Sequence, residues 1–131
     1  MEKELKALLV SSQRENKKIL LSVLRDLPVK PYVVSTMAQA KGYIANHQFS
    51  IVFCDELLPD GSYRDVFTSL RVNSTAAQFV LLMRDGEWEE YLEALKLGVE
   101  EVLRPPLSAI DVDLTLMHAF RHSAIGLLSQ V

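Results

Sequence analysis

Residues 51–61 read Ile51-Val52-Phe53-Cys54-Asp55-Glu56-Leu57-Leu58-Pro59-Asp60-Gly61. An apolar run of this kind, opened by two β-branched residues, fits a strand buried on both faces, because a half-solvated strand alternates apolar with polar residues. The acid that closes the run then stands at a carboxyl strand end, and Pro59, Asp60 and Gly61 turn the chain away. Similar short runs stand at 8–10, 32–34, 79–83 and 99–103, with segments of helical period between them. Ile19, Leu20, Val23, Leu24 and Leu27 space one helix face, Leu92 and Leu95 another, and Ile110, Leu114, Met117 and Phe120 a third. Strand and helix alternate through five pairs, which predicts an open parallel sheet covered by helices on both faces.

Helix starts are marked by a hydroxyl or acid followed three residues later by an acid or amide, a pattern that satisfies orphan backbone donors. Ser12 with Glu15, Thr36 with Gln39, Ser62 with Asp65 and Ser108 with Asp111 fit it, and Asp85 is placed to cap the fourth helix. Gly98 stands where a helix end needs a left-handed residue.

With 131 residues, 49% hydrophobic and 24% charged, the chain fits one globular domain and excludes a disordered or repeat architecture. The net charge of −3 argues against autonomous nucleic-acid binding. Cys54, the single cysteine, excludes an internal disulfide and a cysteine-based zinc site and suits a reducing compartment. No apolar run approaches the ~20 residues of a bilayer span, and the first residues carry mixed charge without the apolar core of a signal peptide. The expectation is a soluble, cytoplasmic protein with no nucleic-acid or membrane partner.

In an open parallel sheet, sites gather at the carboxyl ends of the strands. Those ends are Ser11-Ser12, Asp55, Leu82-Met83 and Arg104-Pro105-Pro106, among which Asp55 is the obvious reactive group. The segment 51–61 resembles the phosphoacceptor segment of a response-regulator receiver domain, and 93–103 is similar to that family's fourth helix and fifth strand, followed by a proline-containing turn. The resemblance covers nearly the whole chain. It implies a flavodoxin-like (CheY-like) three-layer α/β/α sandwich, (βα)5, with a five-stranded parallel sheet in the order 2-1-3-4-5. The expected bounds are one receiver-like domain over 1–131, with its core at about 5–122 and an apolar C-terminal extension at 123–131.

The resemblance implies that Asp55 is the candidate phosphoacceptor, taking a phosphoryl group from a histidine kinase with the help of Mg²⁺. A carboxylate attacking an anionic phosphoryl group needs its charge neutralised by a hard cation in an oxygen cage. Four active-site positions and one switch position depart from the family pattern. Ser11 and Ser12 replace the acid pair, Leu82 replaces the hydroxyl residue and Pro105 the lysine, with Arg104 one position early. Val102 stands where the family's aromatic switch belongs. Neutral hydroxyls are poor partners for a dication, so no cofactor is expected and Mg²⁺-dependent phosphotransfer is disfavoured.

Other residues have plainer readings. Ser12 is expected to cap a helix, since no histidine is placed to activate it as a nucleophile. His118 and His122 share a helix face without a third ligand in sequence, His47 belongs to the loop before the third strand, and Cys54 is a small core residue. Trp88 and Tyr91 are candidate interface residues, since Leu92 and Leu95 are expected to supply the buried stripe of their helix.

The expected function is an atypical receiver that is not an enzyme and works as a phosphorylation-independent interaction module in two-component phosphorelay signalling. Its partner would be a protein such as a histidine kinase or an output protein. A homodimer through the fourth helix, fifth strand and fifth helix is a further expectation. The alternative is a working phosphoacceptor at Asp55. A flavodoxin-like cofactor enzyme fits the same fold class but lacks a phosphate loop, since Ser11-Ser12-Gln13-Arg14-Glu15 stands in its place.

Overall fold

The apolar runs become strands of one sheet in the computed structural model, which describes residues 5–73, 76–84 and 88–120. The chain begins β1 (Leu5–Val10), α1 (Arg14–Leu24), β2 (Val29–Val34), α2 (Met37–Asn46) and β3 (Ile51–Asp55). A small antiparallel hairpin follows, β4 (Leu57–Leu58) and β5 (Gly61–Ser62), which the sequence reading did not foresee. The chain continues with α3 (Tyr63–Val72), β6 (Gln78–Leu82), α4 (Trp88–Leu97), β7 (Glu101–Leu103) and α5 (Ala109–Ala119). The main sheet is parallel in the order β2-β1-β3-β6-β7, which is 2-1-3-4-5 once the hairpin is set aside.

Successive strand residues point to opposite faces and build two cores. Val52 and Cys54 join Ala40 and Ile44 of α2, Phe67 and Leu70 of α3, and Ala94 of α4. Ile51 and Phe53 join Leu20 and Leu24 of α1 and Val112, Leu116 and Phe120 at α5. The three-layer sandwich follows directly. Phe53 is fully buried in the second core, where truncation to alanine costs about 3–5 kcal/mol.

Capping holds for three helices. Thr36 Oγ1 accepts from Gln39 N, Ser62 and Asp65 form a reciprocal box, and Ser108 Oγ accepts from Asp111 N. Asp60 adds a cap from outside, its carboxylate accepting from Met37 N at 2.7 Å and Ala38 N at 3.0 Å at the first turn of α2. Gly98 closes α4 at φ 112°, and a Cβ there would lie 3.3 Å from the Phe67 ring. The expected Ser12 cap is corrected: α1 starts one residue later, with Gln13 at the cap position and no side-chain cap bond. The Ser12 N–H turns to Asp55 instead. Asp85 lies outside the described residues.

Two helix faces also differ from expectation. In α4 the buried residue is Ala94 and Tyr91 packs half-buried against the core, while Leu92 and Leu95 face outward. Glu90 lies on the same inner side, where it bonds Tyr63 and Arg64 of α3. In α5 the inner face is Val112, Thr115 and Leu116, continued by Phe120, and Ile110, Leu114 and Met117 are exposed. Periodicity finds an apolar stripe, but α5 has two of them on opposite sides.

β2 and β7 form the sheet edges. Val34 O accepts from Ser11 N, so Lys30, Tyr32 and Val34 direct their backbone groups toward β1. Val29, Pro31 and Val33 direct theirs outward.

Candidate functional site

Asp55 ends β3 beside its register partner Leu82, at the mouth of a cleft of ≈ 460 Å³. Gln13, Glu56, Leu57, Arg84 and Glu90 complete the lining. The Asp55 side chain points to the α1 side of the sheet, as Phe53 and Ile51 do below it. It is 5% exposed, so its carboxylate needs partners.

Those partners are three neutral donors. Ser11 Oγ donates to Oδ2 at 2.9 Å, Ser12 N donates to the same oxygen at 3.0 Å, and Asn16 Nδ2 donates to Oδ1 at 3.2 Å. Ser11 is itself completely buried, and its Oγ also accepts from Gln13 N at 3.0 Å, which ties the start of α1 into the same network. Ser11 thus supplies through its hydroxyl a donor that an ionised acid there would lack, and Ser12 adds a backbone N–H that any residue at its position would give. They hold a carboxylate by neutral hydrogen bonds, with no cation needed to balance repulsion between acids. The donor set does not fit a Mg²⁺ ion, and among the described residues no cluster of three or more His, Cys, Asp or Glu is placed to hold a metal.

Leu82 stands 1% exposed beside Asp55 and offers no hydroxyl to the cleft. Arg104 is exposed, and neither it nor Pro105 is among the cleft residues. Arg84, just after β6, is the basic residue lining the cleft among the described residues. On the far wall, Glu90 Oε2 accepts from Tyr63 Oη at 2.7 Å and pairs with Arg64 Nη2 at 2.8 Å. The Tyr63 hydroxyl, then Arg64, hold the Glu90 carboxyl below its ordinary value, while burial and that same bond push the Tyr63 phenol well up.

Trp88 is 68% exposed and stacks on Tyr91, their ring centroids 5.6 Å apart. Tyr91 is half-buried, its ring also packing against the core; Leu92 and Leu95, 36% and 41% exposed, lie on the outer side with Trp88. Val102 is half-buried against the core below α4. Cys54 is buried, and burial raises its thiol well above the ordinary value. His47 sits at the end of α2 among Tyr32, Tyr43 and Phe49 and meets Lys6 Nζ at 3.3 Å. His118 lies 3.7 Å from Glu101 on β7, and His122 lies outside the described residues.

Asn16, Arg84 and Glu90 were missed from sequence. Asn16 had a signal: it stands four residues before Leu20 and eight before Leu24, a polar residue on the buried stripe of α1. Helical side chains lean toward the N-terminus, which brings its amide to the strand ends. Arg84 and Glu90 had none, because a charged loop residue and a charged helix residue look solvated until the loop is closed.

Comparison with solved structures places this fold. A signal receiver domain from Vibrio parahaemolyticus superposes with a TM-score of 0.85 at 19% identity, covering 98% of this chain and 99% of that one. A two-component response regulator from Clostridium difficile gives 0.82 at 20% identity over 90% and 97% of the two chains. A chemotaxis response regulator from Vibrio cholerae gives 0.80 at 15%, covering 89% and 99%. The chain therefore has the fold of response-regulator receiver domains. No family model and no curated protein matches its sequence. Among the described residues no helix is long and apolar enough to cross a membrane.

Proposed function

We propose that this chain is a receiver-type module of two-component signalling that acts by protein–protein contact, its state not set by Mg²⁺-dependent phosphorylation of Asp55. One observation carries the reading: the Asp55 carboxylate is buried and held by Ser11, Ser12 and Asn16, all neutral donors. Three of its roughly four acceptor positions are occupied. Phosphoryl transfer relies on positioning and on neutralising charge, and this corner supplies neither an acid pair for the ion nor a hydroxyl at Leu82. A dianionic donor entering the cleft would meet Asp55, Glu56 and Glu90, with Arg84 the one cationic residue lining it among the described residues.

The partner, a histidine kinase or an output protein, binds on this reading at Trp88 with Leu92 and Leu95. A large exposed aromatic flanked by aliphatic side chains is the usual anchor of an interface. The alternative, a phosphoacceptor that works without the acid pair, draws support from the place of Asp55 at the cleft mouth and the open position on Oδ1. Intact mass after incubation with a small phosphoryl donor and Mg²⁺ separates the two, beside an Asp55→Asn control. No adduct on folded protein is expected. A Mg²⁺-dependent adduct abolished by the substitution would overturn the proposal.

A further inference from the structure

At the amino ends of the strands, opposite the end that carries Asp55, four rings close on one another beside the last turn of α2. Tyr32 of β2 meets Tyr43 edge-on with centroids 5.7 Å apart, His47 at 4.9 Å and Phe49 edge-on at 5.6 Å, and Tyr43 stacks on His47 at 5.6 Å. Phe49 is buried in the core, whereas Tyr43 is 38% exposed. The ring box is thus rooted in the domain at one end and open to water at the other.

Two cations stand over it. Lys6 Nζ lies 5.9 Å and Lys30 Nζ 5.4 Å from the centroid of the Tyr32 ring, within reach of its negative face. The two lysines are register partners on β1 and β2, side by side on one face of the sheet, where like charges repel. The chain has 17 acids to 14 basic residues, yet no ion pair among the described residues includes Lys6 or Lys30. The Tyr32 ring attracts each ammonium without cancelling the repulsion between them. Lys6 Nζ donates to His47 Nδ1 at 3.3 Å, since an ammonium has no acceptor to offer. The neutral imidazole then carries its own proton on Nε2, a further donor. Every polar group here gives hydrogen bonds or positive charge, and the counterpart that would balance them is an anion from outside.

We infer that this face, with Lys6 and Lys30 framed by Tyr32, Tyr43 and His47, is an interaction surface for an acidic segment of a partner protein. Its carboxylates meet the two ammonium groups and an apolar side chain of the same segment lies against Tyr43. Lys30 and Tyr43 are both exposed, so a chain segment can lie across the surface. The surface is separate from the Asp55 cleft and from the Trp88 face of α4, and its occupancy does not depend on whether Asp55 takes a phosphoryl group.

Titrating the full chain with a blocked synthetic peptide, glutamates around a central phenylalanine, tests it through amide chemical shifts. The expected shifts centre on Lys6, Lys30, Tyr32, Tyr43 and His47, shrink with added salt and are absent with the glutamine counterpart of the peptide. Lys6→Gln combined with Lys30→Gln is expected to weaken binding by about tenfold or more, while Lys96→Gln on α4 leaves it unchanged. Should the double variant fail to fold, Lys30→Gln alone, at an exposed position, carries the test. A structural role reads differently: lysines that only held the ring box together would make Lys30→Gln unfold more readily, whereas relief of like-charge repulsion leaves its Tm equal or higher. A lowered Tm for Lys30→Gln with peptide binding unchanged overturns the inference. So do shifts centred on the Asp55 cleft or on Lys17 and Lys18 of α1, and so does an absence of binding at millimolar peptide. Inorganic phosphate that moves the same amides where the peptide moves none would give the surface to a small anion and overturn the acidic segment.

Discussion

The corner around Asp55 and the outer surface of α4 and α5 use the same materials in opposite ways. At Asp55 a buried charge meets a hydroxyl, a backbone amide and a carboxamide, and among the described residues no buried side-chain oxygen or nitrogen lacks a hydrogen-bond partner. On α4 and α5, Trp88, Leu92, Leu95, Ile110, Leu114 and Met117 are all exposed, Trp88 with the ring of Tyr91 stacked on it. The polar corner is complete within one chain, and the apolar surface is not. A fold whose catalytic-looking site is closed and whose helix faces are open directs attention to contact rather than to chemistry.

Breaking the closed corner should have the largest effect. Asp55→Ala strands three donors, two of them on buried residues, and is expected to cost about 3 kcal/mol in urea unfolding. A stabilised Asp55→Ala would reverse the comparison, marking the carboxylate as a group held under strain for use. Converting Ser11 and Ser12 together to aspartate removes the Ser11 hydroxyl donor, keeps the backbone N–H at position 12 and adds two carboxylates beside Asp55. Like-charge repulsion should then lower stability by about 1–2 kcal/mol in chelator, with recovery on adding Mg²⁺. The unmodified chain should show no Mg²⁺-dependent shift in Tm.

Smaller effects sharpen the contrast at the cleft wall. Glu90→Gln weakens a partly exposed contact with Tyr63 and Arg64 and is expected to cost about 0.5–1 kcal/mol. The sign with pH follows from the shifts. Glu90 and Asp60 sit below their ordinary values of 4.5 and 3.8, the first through the Tyr63 hydroxyl and the second through the backbone donors of Met37 and Ala38. Their stabilisation is present above those values and is lost as pH falls through the lower folded ones. Tyr63 behaves inversely. Its raised phenol contributes stability below its ordinary value of 10.0 that declines as pH rises through the folded one. Thermal unfolding of Tyr63→Phe and Glu90→Gln across pH should flatten those limbs. Smallest of all, Trp88→Ala and Leu92→Ser should shift stability by less than about 0.5 kcal/mol while abolishing partner capture. A substantial loss of stability in either would mean that the α4 face belongs to the core.

Much of the fold was legible, because strands buried on both faces leave short apolar runs such as Ile51 to Cys54, which β-branched content and flanking turn residues separate from a helix segment. The caps at Thr36, Ser62 and Ser108 were legible for the same local reason. Helix rotation was not. Leu92 and Leu95 looked like a buried stripe because hydropathy cannot distinguish a face that packs inward from one facing outward, and the contacts of the inner face are long-range, Glu90 meeting Arg64 26 residues away. The site was half legible. Asp55 was found from its place at a strand end, and Ser11 and Ser12 were seen as departures, but their role as its hydrogen-bond donors needed the loop's geometry. Asn16 was overlooked as one polar residue in a helix.

Exposed apolar helices invite uncontrolled association, and the sheet's margins bear on why that hazard stays contained. An open strand edge recruits other chains through its outward N–H and C=O groups. In β2 the outward row consists of Val29, Pro31 and Val33, and the Val29 N–H is already bonded to Leu27 O at 2.7 Å. Pro31 has no N–H to give, which leaves Val33 as that row's remaining donor. The other margin, β7, is three residues long. Fibre-like stacking edge to edge is thereby discouraged on both sides, so stickiness is confined to the helices, where shape and spacing can choose what adheres.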